Sequence, residues 1–144
     1  MAERPFFVDA NVVVYAARAD EIYGAACAVI LDAVVNGVSA VSSVAVLEEV
    51  LHYELSVRDH DARGVAGAAY AMLTPLLPVT DATLRDALEV DNPELGANDR
   101  VHVATCRENG IRTIVTADRG FDGIRGLRRV DPLDAEAVGR LIGA

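Results

Sequence analysis

The chain contains no lysine; all 13 of its basic residues are arginine. That bias points to a GC-rich genome or a salt-adapted host and says nothing of function. Long apolar runs are also missing. Hydrophobic residues make up 52% of the chain, yet no run approaches the ~20 residues a membrane span needs. Residues 1–7 lack the apolar stretch of a secretory signal. There are only two cysteines, Cys27 and Cys106, with neither a CxxC nor a Cys/His ligand spacing. They are expected to be buried, reduced packing residues. The chain therefore reads as cytoplasmic and without a membrane partner. Repeats, linkers and low-complexity segments are absent, and 144 residues fit one domain, 1–144, with enough mass for a core.

The charge is present but uneven. The net value is −9, which argues against passive nucleic-acid binding by the whole surface. Residues 1–99 carry 5 arginines against 16 acids, and residues 100–144 carry 8 arginines against 6 acids. Arg119, Arg125, Arg128 and Arg129 gather close to Asp118 in sequence. On charge alone they form either a solvated face or a grip on a phosphate backbone.

Strand and helix signals alternate along the chain. Phe6 to Val8 reads as a buried strand, and a helix follows over residues 10–18. Residues 21–36 have helical composition, with Gly37 placed to end that helix. A second strand is expected at 38–42, then a helix capped by Ser43 and running to about 56. Asp59 or Asp61 is expected to open another helix that reaches Met72 and stops before Pro75. Residues 76–79 read as a short strand, with Pro78 suggesting an edge position. Thr80 or Asp81 caps a helix to about 90, and 92–96 is a loop. Asn98 is expected to cap a helix over 99–109, ended by Gly110. A strand at 113–115, a turn or short helix at 118–121, a strand at 127–130 and a terminal helix capped by Asp134 complete the pattern. Such alternation means an α/β fold: three α/β/α layers around a parallel sheet of roughly five strands, with right-handed crossovers. The apolar segment 65–77, with Tyr70 and Met72, reads as core first and as a dimer or partner face second.

Acidic residues fall where strands or turns hand over to helices. Asp9 follows Phe6-Phe7-Val8, Asp118 follows Thr113-Ile114-Val115-Thr116, and Asp99 sits in the first turn of its helix. An open parallel sheet gathers its strand carboxyl ends at one edge, where ligands bind. Each aspartate taken singly is an ordinary cap. Taken together at compatible ends, Asp9, Asp99 and Asp118 describe a carboxylate cluster, and a helix N-terminus stabilises Asp99 as an anion. Such a cluster repels itself unless a divalent cation fills it, and hard oxygen ligands suit Mg²⁺ or Mn²⁺. The cation would activate a water and stabilise developing charge on a phosphodiester, with no lysine or histidine base required. Glu48 and Glu49 both fall off the apolar face expected for their helix: Val46, Leu47, Val50, Leu51 and Leu55. Their directions differ by about 100°, so only one reaches the cluster, and periodicity does not choose between them.

Four segments carry a family resemblance. Phe7-Val8-Asp9-Ala10-Asn11-Val12-Val13-Val14-Tyr15 resembles the opening motif of PIN-domain ribonucleases. Ser43-Val44-Ala45-Val46-Leu47-Glu48-Glu49-Val50 is similar to the family's Ser-to-Glu segment and favours Glu49. Asn98-Asp99-Arg100-Val101-His102-Val103-Ala104 resembles the segment with the third acid, and Thr116-Ala117-Asp118-Arg119-Gly120-Phe121-Asp122 the closing signature. The four occur in the family's order across nearly the whole chain. The resemblance implies a PIN-like five-stranded sheet and a catalytic set of Asp9, Glu49, Asp99 and Asp118, with Asp9, Asp99 and Asp118 on Mg²⁺ or Mn²⁺. It implies Asn11 and Thr116 as polar supports, with Asp122 nearby. The implied activity is RNA cleavage. Many family members of this length are VapC-type toxins that form homodimers and are neutralised by a small antitoxin.

Other readings are weaker. A haloacid dehalogenase-type phosphatase needs a second Asp two positions after the first, and here that position is Asn11. Glu49-x-x-His52 and Asp99-x-x-His102 resemble half of a di-iron pattern, but that site needs a helical bundle, which the strands oppose. His52 and His102 are expected at a helix surface or half-buried, and His60 in a polar turn. A PIN-like fold can also persist as a non-catalytic RNA-binding or scaffold protein, or as an RNA-processing nuclease that is not a toxin. Degenerate scaffolds are expected to lack site acids, whereas this chain keeps every matching one.

Overall fold

Two short, largely buried strands set the frame. In the computed structural model, which describes residues 4–57 and 62–143, β1 (Phe6–Val8) and β3 (Thr113–Val115) lie side by side at the centre of a parallel sheet. β2 (Ala40–Val41) flanks β1, and β4 (Arg128–Val130) flanks β3, giving the order β2-β1-β3-β4. Phe7 pairs with Ile114 and Val8 with Val115. All four of these side chains are fully buried, each contributing about 1.5–3 kcal/mol of apolar burial. Among the described residues, seven helices flank the sheet: α1 (Ala10–Ala17), α2 (Gly24–Val35), α3 (Val44–Ser56), α4 (Val65–Leu73), α5 (Asp81–Leu88), α6 (Ala97–Glu108) and α7 (Ala135–Ile142). None of them is long and apolar enough to cross a membrane.

The expected parallel α/β architecture is present with four strands rather than five. Residues 76–79 do not form a ladder. Leu77 makes one isolated parallel bridge to Ser43, with its N–H donating to Ser42 O at 2.9 Å and its carbonyl accepting from Val44 N at 3.0 Å. Pro75 and Pro78 flank it, and a proline has no N–H to extend a ladder. β2 is likewise shorter than the expected 38–42.

Helix starts depart from expectation for local reasons. Asp20 accepts hydrogen bonds from Ile22 N and Tyr23 N, so those residues form a turn and α2 begins at Gly24 rather than at 21. A Cβ on Gly24 would sit 2.8 Å from Ala19 C, so the chain closes on itself there only around a glycine. α6 begins at Ala97 with Gly96 as its N-cap, so Asn98 lies inside the first turn and does not cap it. Ser43, Thr80 and Asp134 cap α3, α5 and α7 through side-chain bonds to Val46 N, Thr83 N and Ala137 N. Asp59, Asp61 and His60 fall outside the described residues, and α4 starts after Gly64.

The apolar face of α3 is narrower than its composition suggests. Val46, Leu47 and Val50 are buried, whereas Leu51 is exposed and Leu55 is 75% exposed. Helix α4 buries Ala69 and Leu73 and leaves Tyr70 in solvent. Segment 65–77 is thus part core and part surface: Val65, Ala68 and Met72 join Val13 and Leu31 in lining an apolar groove of about 280 Å³ between α1, α2 and α4. Cys27 and Cys106 are free and buried, and burial pushes both thiols up to about 12.

Candidate active site

The strand order places a topological switch between β1 and β3. The chain leaves β1 toward β2 on one side, and β3 sits on the other, so their carboxyl ends frame a crevice. Asp9 and Thr116 are the first residues beyond those ends. The sheet ladder continues into both, through Asp9 N to Val115 O at 3.2 Å and Thr116 N to Val130 O at 3.1 Å.

Asp9 is 4% exposed and is held on every side. Its Oδ1 accepts from Ala10 N at 2.8 Å as the N-cap of α1. Its Oδ2 accepts the Thr116 hydroxyl at 2.8 Å, with Asn11 Nδ2 at 3.4 Å. Asn11 Nδ2 also donates to Thr116 Oγ1 at 2.9 Å, and Asn11 Oδ1 accepts from Ala117 N at 3.2 Å. Thr116 Oγ1 accepts from Asp118 N at 3.1 Å. Asn11 and Thr116 thus tie the end of β1 to the end of β3. Burial raises the Asp9 pKa; the Glu49 charge adds to that rise, while His102, Thr116 and the Ala10 N–H oppose it.

The two neighbouring glutamates on α3 separate as their offset of about 100° requires. Glu48 is exposed. Glu49 is partly buried, and its Oε1 lies 3.1 Å from His102 Nε2. The same imidazole nitrogen is 3.7 Å from Asp9 Oδ1. The sequence places His102 at a surface or half-buried; in the fold it is fully buried, with 0% exposure. α6 buries five consecutive residues, His102 to Cys106, so no one-sided stripe marks its inner face. The signal the sequence does hold is the three-residue spacing from Asp99, which sets both side chains on one side of the helix. His52 does lie on the surface. Burial alone would lower the His102 pKa, but the Glu49 hydrogen bond and the charges of Asp9, Glu49 and Asp99 outweigh it and raise it.

Asp99 sits in the first turn of α6. Burial pushes its carboxyl up to about 7, with the charges of Asp9 and Asp118 adding and His102 opposing. Asp118 is exposed and caps the 3-10 turn Arg119–Phe121, its Oδ1 accepting from Gly120 N at 2.8 Å.

Among the described residues, Asp9, Glu49 and His102 form a set whose donor atoms all lie within 4.8 Å of one another. Asp99 and Asp118 stand outside that tight set, though Asp99 senses the charges of Asp9 and Asp118. Three carboxylates, Asp9, Glu49 and Asp99, therefore act on one buried imidazole, and Asp118 acts on Asp99. The excess of negative charge that helps drive Asp99 to about 7 is what a divalent cation would offset, and hard carboxylate oxygens suit Mg²⁺ or Mn²⁺.

The arginines divide. Arg119, Arg125 and Arg128 are exposed. Arg129 has a side chain only 12% exposed. Its guanidinium donates to Asp122 Oδ1 at 2.7 Å, Asp131 Oδ2 at 2.9 Å and Thr116 O at 3.1 Å. Asp122 thus pairs with Arg129, which lowers its pKa through that hydrogen bond, and braces the strand end from outside the carboxylate group. Nothing in the sequence singles out Arg100, yet its guanidinium donates to the carbonyls of Leu95, Val90 and Asn92, each at 3.0 Å. It fastens the loop that leads into α6.

The family model of the PIN domain matches residues 6–127, spanning every element from β1 to the edge of β4. The chain belongs to the PIN domain family. This PIN domain is similar to ribonuclease VapC13 of Mycobacterium tuberculosis, at 28% identity over 85% of this chain and 97% of that protein. Its fold is similar to VapBC2 from Rickettsia felis, solved bound to a promoter DNA fragment, with a TM-score of 0.67, 17% identity and coverage of 88% and 97% of the two chains. It is also similar to Mycobacterium tuberculosis VapC20, a toxin that cleaves the sarcin-ricin loop, with a TM-score of 0.63, 18% identity and coverage of 83% and 91%.

Proposed function

We propose that this PIN domain is a metal-dependent endoribonuclease and the toxin of a toxin–antitoxin pair. The observation that carries this reading is the placing of Asp9, Glu49, Asp99 and Asp118 at the β1/β3 crevice, where burial and then the charges of Asp9 and Asp118 push Asp99 up to about 7. Family membership and the VapC names of its relatives favour RNA as substrate.

Asp9, Asp99 and Asp118 would hold Mg²⁺ or Mn²⁺, with Glu49 beside them. When bound, the cation supplies an activated water and Lewis acidity toward the phosphodiester. The chain's own residues orient that chemistry. Thr116 and Asn11 fix the Asp9 carboxylate in one rotamer, so its oxygens need no reorganisation. Asp118, at the exposed end of the crevice, meets the substrate side. Arg119, next to Asp118 in the chain, presents positive charge beside it for the RNA backbone, whereas Arg125 and Arg128 are exposed further from the crevice, near Arg107 and Thr113. A small antitoxin and a second copy of the chain are the protein partners, and the cytoplasm is the place of action.

The test is cleavage of a panel of single-stranded and transfer RNAs in Mg²⁺, Mn²⁺ or EDTA, with Asp9→Asn as the control. The reading expects cleavage that needs metal and disappears in Asp9→Asn. RNA binding without cleavage under any metal would move the protein to the scaffold class.

A further inference from the structure

We propose that His102 is a positioning residue, which fixes Glu49 through an Nε2–H hydrogen bond and does not itself ligate the cation. The proposal rests on the metal-site reading above, since it assigns Glu49 a place in that site.

Three observations carry it. His102 Nε2 faces two carboxylate oxygens, Glu49 Oε1 at 3.1 Å and Asp9 Oδ1 at 3.7 Å. A bare lone pair there would point at two acceptors, so Nε2 carries a proton in either charge state. The second observation is the other ring nitrogen. Among the described residues, Nδ1 of His102 is buried with no hydrogen-bond partner. A metal-ligating histidine almost always donates its distal N–H to a carboxylate, carbonyl or water, which fixes its tautomer. If Nε2 bound a cation, the proton would move to Nδ1 and stand buried without an acceptor. With the proton on Nε2, Nδ1 is left as a bare buried acceptor, in a ring whose centroid lies 5.7 Å from that of Phe7. The third observation is the immobility of the ring and the freedom of its partner. His102 is fully buried within α6, whereas Glu49 is partly exposed on α3, and among the described residues no other side chain bonds it. The bond therefore transmits the order of α6 to a long side chain that otherwise samples several rotamers. Because the same N–H also approaches Asp9, it sits between the first and second acids of the site.

The experiment compares wild type, His102→Leu and His102→Gln, first by Mn²⁺ binding in calorimetry and then by RNA cleavage against Mn²⁺ concentration. Leucine keeps the volume and removes the donor; glutamine places an amide N–H near the position of Nε2. His102→Leu should weaken Mn²⁺ binding about 10-fold, with KM for RNA unchanged, and His102→Gln should recover most of that loss. In a Glu49→Gln background, His102→Leu should add no further loss. ¹⁵N NMR of the wild type gives a readout that needs no variant: His102 should show the Nε2–H form with and without Mg²⁺. Loss of that proton on Mg²⁺ addition, or Gln and Leu variants equally impaired, would make His102 a ligand and overturn the proposal. Equal Mn²⁺ binding by wild type and His102→Leu would overturn it while leaving the metal site standing. A wild type that takes up no Mn²⁺ would overturn the site and the proposal together.

Discussion

The Thr116 hydroxyl donates to Asp9 Oδ2 at 2.8 Å across 107 positions of sequence. Both groups are buried, and among the described residues no other hydroxyl reaches Asp9. Removing the bond leaves that carboxylate oxygen with only the Asn11 amide at 3.4 Å. Thr116→Val keeps the shape and should cost about 1–2 kcal/mol of stability. It should also cost about 10–100-fold in metal affinity or activity. A chemical denaturation curve and a metal titration check the two effects separately, and an unchanged metal midpoint would remove Thr116 from its supporting role.

Asp99→Asn should abolish cleavage while stabilising the metal-free protein, because it removes a carboxylate whose charge is disfavoured by burial and by Asp9 and Asp118. The expected gain is on the order of 1 kcal/mol, or a rise of a few degrees in Tm. Calorimetry in EDTA reads it. A fall in Tm would mean that Asp99 is structurally required as an anion.

The pH dependence of the metal-free protein should run opposite to ordinary acid denaturation near the site. Asp9 and Asp99 have raised pKa values, and so has His102. Each binds its proton more tightly in the folded state, so its contribution is fully present below the unfolded pKa and is lost as pH rises through the folded one. For Asp99 that window runs from about 4 to about 7. Tm in EDTA should therefore drop between about pH 4 and about pH 7, and saturating Mg²⁺ should flatten the drop by binding the ionised carboxylates. A Tm that climbs over this range in EDTA would show that the carboxylates are not crowded.

Glu49→Gln should lower cleavage at limiting metal by at least about 10-fold, and Glu48→Gln should leave it within about twofold. Glu48 points to solvent and Glu49 to His102. Parallel rate measurements decide the matter, and the reverse order would move the site by one residue.

Replacing Arg119, Arg125 and Arg128 together should reduce the salt dependence of RNA binding, by a slope of about 0.7 for each single-strand phosphate that is no longer neutralised. Arg129→Ala should instead destabilise the fold by about 1–3 kcal/mol through its bonds to Asp131, Asp122 and Thr116 O, with little change in slope. Binding isotherms at several salt concentrations, paired with melting curves, separate the two groups. A salt slope carried by Arg129 would reverse the division.

What is legible in the sequence is local. Phe6 to Val8 and Thr113 to Val115 announce themselves as apolar β-prone runs, and each is followed by polar residues at the same sheet edge. The helix signals of Ser43, Thr80 and Asp134 are side-chain caps, whose chemistry acts within three residues. What is not legible depends on distant neighbours. Residues 76–79 have strand composition, but the two prolines and the partner Ser43 limit them to one bridge. Leu51 and Leu55 look like core until the packing of α3 selects a narrower face. The burial of His102 and of Arg129 escapes the sequence for the same reason. A polar side chain is buried when partners meet it, and Glu49, Asp122 and Asp131 meet these two only in three dimensions.

The strand order β2-β1-β3-β4 also sets when the site can exist. β1 leaves the ribosome early, but Thr116 is made 107 positions after Asp9. At about 5–20 residues per second, roughly 5–20 s separate synthesis of the first acid from synthesis of the threonine that holds it. During most of that interval the nascent chain has neither its central strand pair nor Asp99 and Asp118. Carboxylate chemistry of the kind proposed for this crevice can therefore begin only when nearly the whole chain has been made.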